Sequence, residues 1–176
     1  MMPDLSDALL SMEHFRHSLI EHAPALRRYA RALTGNFARA DDLLQDCLER
    51  ALNREHQYQT GTNLKAWLYT MMHHLFVDGL RSAKSGPVLV DLDAAHFDLP
   101  VVPAENGGLD DLGDAIQRLP AEQKEIVLLV SLEGWGYQDT ARILDIPIGT
   151  VMSRLHRARE TLRQQLFGAD DDGGSP

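Results

Sequence analysis

The stretch YQDTARILDIPIGTVMSRLHRARETL, Tyr137 to Leu162, decides the fold of the C-terminal part of the chain. Residues 137–144 supply two helical turns, and Asp145-Ile146-Pro147 is short and turn-prone enough to predict a tight corner. A second helix is predicted from about Ile148 to Leu166. Its inward stripe has the spacing i, i+4, i+7 and i+11 and consists of Val151, Leu155, Ala158 and Leu162. Two helices joined at a steep angle by three or four residues form the helix-turn-helix, whose second helix enters the major groove of DNA.

The outward face of this second helix is cationic and polar. Arg154, Arg157, Arg159 and Arg163 stand against the single acid Glu160, although the whole chain has a formal net charge of -9. Arginine forms bidentate contacts with guanine or phosphate, and each neutralised phosphate releases counterions. A solvated face that suits the negative end of the helix dipole is the alternative interpretation. The corner, the inward stripe and the small Ala141 on the first helix together favour DNA binding. The predicted contact residues are Thr150, Met152, Ser153, Arg154, His156 and Arg157.

Composition limits the class of protein. A chain of 176 residues with 44% hydrophobic residues can form one domain or two small ones. Cys47 is the only cysteine, so neither an intrachain disulfide nor a cysteine-based zinc site can form, and a reducing, cytoplasmic setting is expected. No apolar run approaches the roughly 20 residues of a membrane span, so membrane insertion is not expected.

Charge and turn residues divide the chain into blocks. Residues 86–110 contain acids, prolines and glycines without any Lys or Arg, which predicts a flexible acidic linker. The tail 169–176 is acidic and lacks large apolar residues, which predicts disorder. We therefore expect an N-terminal extension over 1–12, a helical domain over 13–85, the linker, and a second helical domain over 111–168. Because the acidity lies mainly in the linker and the tail, it does not argue against a nucleic-acid partner.

No strand pattern of any length is present, so the predicted fold is all-α. In the first domain we predict one helix over about 11–22 and a second from Pro24 to Gly35. A third helix, starting near residues 40–42, has an inward face of Leu44, Cys47, Leu48, Ala51 and Leu52. A fourth is predicted over about 64–82, with Leu64, Leu68, Met71 and Leu75 inward.

These residues together resemble the extracytoplasmic-function sigma factors, the small two-domain initiation factors of bacterial RNA polymerase. RLPAEQKEIVLLVSLEG and GTVMSRLHRAR are similar to the family's domain that reads the promoter -35 element. ADDLLQDCLERA is similar to its polymerase-binding helix, and NLKAWLYTMMHHLFVDGLR to its helix that reads and opens the -10 element. The order and spacing of these motifs match the family over about residues 13 to 167.

The resemblance implies roles for individual residues. Asp42, Gln45, Asp46 and Arg50 would bind the largest subunit of core RNA polymerase, and Tyr58, Asn63, Lys65, His73, His74 and Arg81 would contact the -10 element. Trp67 is expected to pack in the core rather than stack on a base. The implied partners are core RNA polymerase, promoter DNA and an anti-sigma factor in the bacterial cytoplasm, with no cofactor and no bond chemistry.

The sequence departs from the family pattern at three places. His73-His74 replaces the usual Arg-Asn, Met152 stands where lysine is common, and Asp145 stands where glycine usually forms the corner. Asp tolerates the left-handed conformation, so the corner should persist. Because cations are missing, we predict weak promoter binding in the absence of polymerase.

Two other classes of protein fit parts of the sequence. A stand-alone helix-turn-helix regulator would need a ligand pocket or dimer surface in residues 1–85. A metal-dependent helical enzyme could use His14, His17 and His22, or His73, His74 and Asp78, although scattered surface histidines are the commoner explanation.

Overall fold

A computed structural model describes residues 5–59, 61–85 and 107–168 of the chain. These residues form helices and no strand, so the predicted all-α fold is confirmed for the described part. Most of the predicted linker and the whole tail 169–176 lie outside these residues. The α-helices are α1 Leu5–Thr34, α2 Phe37–Asn53, α3 Leu64–Ser85, α4 Gly107–Gln117, α5 Ala121–Val127, α6 Tyr137–Leu144 and α7 Ile148–Phe167.

Helix α1 is continuous where the sequence predicted two helices. The predicted break at Pro24 is wrong, because Pro24 lies inside α1. Proline removes one backbone hydrogen bond and usually kinks or breaks a helix. Pro24 is exposed, so water can hydrate the unpaired carbonyl there. Phe15 and Leu19 before it, and Leu26 and Tyr29 after it, are buried in the same core, which holds both halves in one helix.

The α1–α2 corner is set by its local chemistry. Gly35 adopts φ 62°, which ends α1 as predicted, and its N–H donates to Arg31 O at 2.9 Å. The Asn36 side chain then caps α2 by accepting from the Arg39 N–H at 2.9 Å. The helix therefore begins three residues before the earliest predicted start.

The inward face of α2 is mostly as predicted. Leu44, Cys47 and Ala51 are buried against α1 and α3, but Leu52 is 44% exposed, so its predicted burial is wrong. On α3, Leu64, Leu68 and Met71 are buried and Leu75 is half-buried. Trp67 packs in the core, with its ring centre 5.6 Å from that of Tyr58 and 6.3 Å from that of Phe15.

The C-terminal helices begin with α4 and α5, and Pro120 lies between them. The apolar run after Pro120 is not one α-helix, because Leu128–Leu132 forms a π-helical turn. Such single-turn widenings are often found at functional sites. The turn ends at Leu132, and Gly134, with a φ of 72°, then redirects the chain into α6.

The helix-turn-helix is formed by α6 and α7. Asp145 adopts the left-handed conformation at φ 51° and ψ 48°, as the corner prediction required, and the Ile146 N–H donates to Ala141 O at 3.1 Å. Val151, Leu155 and Ala158 are buried, and Leu162 packs against the core from a half-buried position.

The helices form an N-terminal bundle, α1–α3, and a C-terminal bundle, α4–α7, whose buried side chains belong to one continuous hydrophobic cluster. The two bundles are in direct contact: α6 packs on α3, and the π-helical turn packs on α1. None of the described helices has the length and apolar character needed to cross a bilayer.

Candidate nucleic-acid and polymerase interfaces

The residues predicted to contact the -35 element lie on α7. Met152, Ser153, His156 and Arg157 are exposed, and Thr150 is half-buried in the first turn. Met152 is 53% exposed, which is unusual for an apolar side chain on a helix of this amphipathic kind. The first three turns of α7 therefore present a mostly polar surface that includes two exposed apolar side chains, Met152 and Ile148. This is the end of the helix that enters DNA in helix-turn-helix proteins.

Arg154 does not point fully outward. Its side chain is 30% exposed, and its Nη2 lies 2.9 Å from Glu122 Oε2 on α5. This ion pair places the guanidinium beside the surface that is predicted to face DNA. Farther along, Arg163 pairs with Glu160 at 2.7 Å, and this contact holds the pKa of Glu160 below its usual value. The four arginines of the sequence pattern are thus not equivalent.

Two polar side chains form hydrogen bonds in the described part of the loop that precedes α3. The Tyr58 hydroxyl donates to Thr62 O at 2.7 Å, and the Tyr58 ring packs on Phe15 and Trp67. Asn63 Oδ1 accepts from the Ala66 N–H at 3.0 Å and so caps α3. These two predicted -10 residues have structural roles, which sequence reasoning did not anticipate.

The other four predicted -10 residues divide between two faces of α3. Lys65 and His73 face the C-terminal bundle: the Lys65 ammonium lies 4.9 Å from the centre of the Trp135 ring, and the His73 side chain is 16% exposed. His74 and Arg81 are exposed, with Arg81 Nη1 3.9 Å from Asp78 Oδ1. The structure therefore does not bring the six residues to one surface. From Lys65 to Arg81 the helix rises by about 24 Å.

The predicted polymerase-binding residues share one face of α2. Asp42, Gln45 and Asp46 are exposed and Arg50 is half-buried. Gln45 Nε2 donates to Glu49 Oε1 at 3.0 Å, which adds a further acid to this face. The face borders a groove in which Leu75 and Phe76 of α3 are partly buried. An acidic helix beside a partly apolar groove offers both charge and apolar surface to a protein partner.

Six residues form a polar cluster between the two bundles that sequence reasoning missed. We call it the interbundle cluster: Arg28, Tyr29, Tyr69, His73, Glu125 and Glu133. Glu125 Oε1 lies 2.8 Å from His73 Nδ1 and accepts from the Tyr29 hydroxyl at 3.3 Å. Glu133 accepts from Arg28 Nη2 at 2.9 Å and from the Tyr69 hydroxyl at 2.5 Å.

Burial explains the protonation of the two tyrosines. It raises the pKa of Tyr29 well above its ordinary value, with Glu125 adding to the rise, and it raises the pKa of Tyr69 together with the hydrogen bond to Glu133. Both phenols therefore remain protonated and act as donors to carboxylates. One signal in the sequence could have pointed to the cluster: Glu125 directly precedes the apolar run IVLLV, where an acid is buried only if it has partners.

The histidines suggested as metal ligands are not gathered into a metal site. Within the described ranges, no three side chains of His, Cys, Asp or Glu are close enough to hold a metal ion. His22 is half-buried, and burial together with the nearby Lys65 lowers its pKa.

Comparison with known proteins assigns the family. Residues 19–73 match the Sigma2 domain of PhyR, and residues 109–162 match region 4 of Sigma-70. Over 166 residues the chain is 36% identical to the ECF RNA polymerase sigma factor EcfG of Rhodopseudomonas palustris, covering 92% of this chain and 91% of that protein. The chain belongs to the ECF family of RNA polymerase sigma factors. The resemblance inferred from the motifs is confirmed, and this sigma factor is not a stand-alone regulator with an unrelated sensing domain.

Two further relatives extend this result. The sigma factor is 37% identical to the ECF sigma factor SigL of Mycobacterium tuberculosis over 150 residues, covering 83% of this chain and 85% of SigL. Its structure resembles that of the sigma factor RpoE from Bartonella quintana, solved in complex with the anti-sigma factor NepR. That likeness has a TM-score of 0.74 and 33% identity and covers 90% of this chain and 99% of the other. It therefore includes both bundles.

Proposed function

We propose that this sigma factor binds core RNA polymerase through α2 and directs it to promoters by contacting the -35 element with α7 and the -10 element with α3 and the preceding loop. The observation that carries the proposal is the position of the three predicted residue sets on separate helices of a chain that belongs to the ECF sigma factors. Each set can thus contact a different partner or DNA segment.

The α2 surface suits a polymerase subunit. Asp42, Gln45 and Asp46 are exposed together, so they can pair with basic residues of a partner without any change in the core. Arg50 is half-buried beside them and can contribute both charge and stem packing. The physical requirement for docking, a rigid helix with a charged exposed face, is met here.

The α7 surface suits the major groove. Ser153, His156 and Arg157 are exposed near the start of the helix that follows the corner. Arg157 is the strongest candidate for a bidentate contact with guanine or phosphate, because Arg154 is engaged with Glu122. Met152 supplies an apolar contact of the kind that suits a thymine methyl group.

We propose that this protein makes or breaks no bond itself and acts in the bacterial cytoplasm, where core polymerase works. An anti-sigma factor is the expected inhibitor. Support comes from the Bartonella relative, which was solved with the anti-sigma factor NepR. The comparable fold over both bundles makes an analogous partner reasonable for this chain.

The contact with the -35 element is tested by a matched pair of arginine variants. Both Arg157 and Arg159 are exposed on α7, but they point in nearly opposite directions around the helix. On a promoter recovered by transcription of a genomic library, Arg157→Ala should reduce initiation about tenfold, whereas Arg159→Ala should stay within about twofold of wild type. Altering the -35 sequence should then reduce initiation by the wild type far more than it reduces initiation by the Arg157→Ala variant. Equal loss from both variants, or equal sensitivity to the -35 change, would contradict this assignment.

A further inference from the structure

The C-terminal bundle covers part of the surface proposed to bind the -10 element. Lys65 lies under the Trp135 ring, and His73 is held by Glu125. Trp135 also packs edge-on against Tyr69, with ring centres 5.5 Å apart. Two of the six predicted -10 residues thus contact the protein's own second bundle.

The covering groups have the chemistry of a nucleic-acid strand. The carboxylate of Glu125 occupies a position beside His73 where a phosphate would form the same charge-assisted hydrogen bond. Trp135 places an aromatic ring against Lys65 and Tyr69, as an unpaired base would. The C-terminal bundle thus contributes both carboxylates and an aromatic ring to this contact, the two kinds of group that phosphates and bases supply in a single strand.

This closed arrangement cannot read both promoter elements. Elements at -35 and -10 are centred about 25 base pairs apart, or about 85 Å at 3.4 Å per base pair. A compact chain of this length has a radius of gyration of only about 16 Å. Because α7 belongs to the bundle that covers α3, simultaneous contact with the two elements requires the bundles to separate.

We propose that the C-terminal bundle is an internal, strand-mimicking occupant of the -10 surface, held in place by Glu125 and Glu133, and that this surface binds DNA only after the interbundle cluster opens. The inference rests on the proposed role of α3 in contacting the -10 element.

The cluster is suited to open without unfolding either bundle. The side chains of Glu125 and Glu133 are 5% and 0% exposed, and all the partners they have among the described residues belong to the N-terminal bundle. Separation would return both carboxylates to water, and their hydration would offset much of the free energy lost with these contacts. The indole N–H of Trp135 is buried without a partner among the described residues, and it too would gain water. The polar part of the contact between the bundles is of the kind found between domains that move relative to each other, and it lies beside the apolar contact of α6 with α3.

A charge swap across the cluster tests the closure in the full chain. Glu133→Arg places two positive charges opposite each other, and Arg28→Glu places two negative charges opposite each other. Each single variant should therefore make the two bundles separate. The double variant Arg28→Glu/Glu133→Arg restores an opposite pair and should close them again. Asp111→Arg, at an exposed acid of α4, is the control with the same charge change as Glu133→Arg.

Opening is measured by two methods that involve no DNA. Small-angle X-ray scattering should give a larger radius of gyration for each single variant than for wild type, Asp111→Arg and the double variant. In a Trp67→Phe background, Trp135 is the only tryptophan. Its fluorescence should move to longer wavelength and be quenched more by acrylamide in the open variants. If both single variants match wild type in both measurements, the closure by these residues is overturned.

Circular dichroism checks that each variant remains folded. If Glu133→Arg unfolds, Arg28→Glu carries the test, because the Arg28 side chain is 57% exposed and its replacement leaves no buried gap. If the double variant does not close again, the Arg28–Glu133 pair is not what holds the bundles together.

Binding of a labelled, mixed-sequence single-stranded 12-mer then tests whether closure blocks nucleic acid. Arg28→Glu makes the protein more negative, so any gain in its affinity for the 12-mer cannot come from electrostatic attraction to DNA. If about a tenth of the wild-type molecules are open, Arg28→Glu should bind about tenfold more tightly, and Glu133→Arg should exceed Asp111→Arg by a similar factor. If the variants open but do not bind the 12-mer more tightly, the proposal that closure blocks the -10 surface is overturned. Failure of the proposed function would appear separately, as wild-type protein that cannot direct core polymerase to any promoter.

Discussion

At the scale of single residues, Cys47 shows how burial controls chemistry. Its thiol is buried, its Sγ lies 3.6 Å from Leu68 O, and burial raises its pKa to about 12. Because the thiolate is the reactive form, we predict that iodoacetamide at pH 8 alkylates the native protein at least about a hundredfold more slowly than protein in urea. Mass spectrometry of timed samples measures both rates. Native labelling within a factor of ten of the unfolded rate would show that the thiol is accessible.

A second residue-scale prediction concerns the corner of the helix-turn-helix. Asp145 is exposed and has φ 51°, a conformation that glycine adopts freely and β-branched residues strongly disfavour. Asp145→Val should therefore be about 1 to 2 kcal/mol less stable than Asp145→Gly in urea denaturation. Asp145→Asn, which tolerates the same conformation, serves as the control and should unfold close to wild type. Equal stability of the valine and glycine variants would mean that the corner relaxes to another geometry.

At the scale of helices, α2 offers a test of the polymerase contact with a matched control. Asp42 and Asp46 are exposed on the proposed binding face, whereas Asp41 on the same helix lies 3.6 Å from Arg27 of α1. We expect Asp42→Ala/Asp46→Ala to weaken binding to core RNA polymerase about tenfold, equivalent to about 1.4 kcal/mol. Asp41→Ala should have little effect. Titration of labelled protein with core enzyme measures both, and an equal loss in the control would refute the assignment of this face.

The helices also show what sequence can and cannot predict. The 3.6-residue period identified the buried faces of α2, α3 and α7, because each stripe must face the core for the chain to fold. Pro24 was misread as a helix boundary, since only the buried residues on both sides reveal that α1 continues through it. The π-helical turn at Leu128–Leu132 leaves no periodic signal of its own in a run that is apolar throughout. Local rules therefore failed where tertiary packing decided the outcome.

At the scale of the whole molecule, the contact between the bundles was beyond sequence reasoning. Glu125 and Glu133 are acids whose partners lie 52 to 105 residues away in the chain, so no local pattern joins them to His73 or Arg28. The predicted -10 set depended on resemblance alone. The structure places two of its residues before α3 and divides the other four between a covered and an open face of α3. The exposure of most of the -35 and polymerase sets could be predicted, because exposure on one face of an amphipathic helix follows from its period.

The closed arrangement gives a physical reason to expect weak DNA binding by the free protein. Lys65 and His73 are engaged within the chain, and Met152 supplies no charge on α7. We therefore predict that the free protein gives no specific shift of its promoter fragment in a gel at concentrations where the complex with core polymerase shifts it fully. Tight, sequence-specific binding by the free protein would contradict this prediction.

The most direct test of the account is transcription of a genomic DNA library by core RNA polymerase with and without the purified protein, followed by sequencing of the RNA 5′ ends. The account predicts a set of start sites that requires the protein, and a shared pair of sequence elements near -35 and -10 upstream of those sites. Start sites that are the same with and without the protein would contradict it.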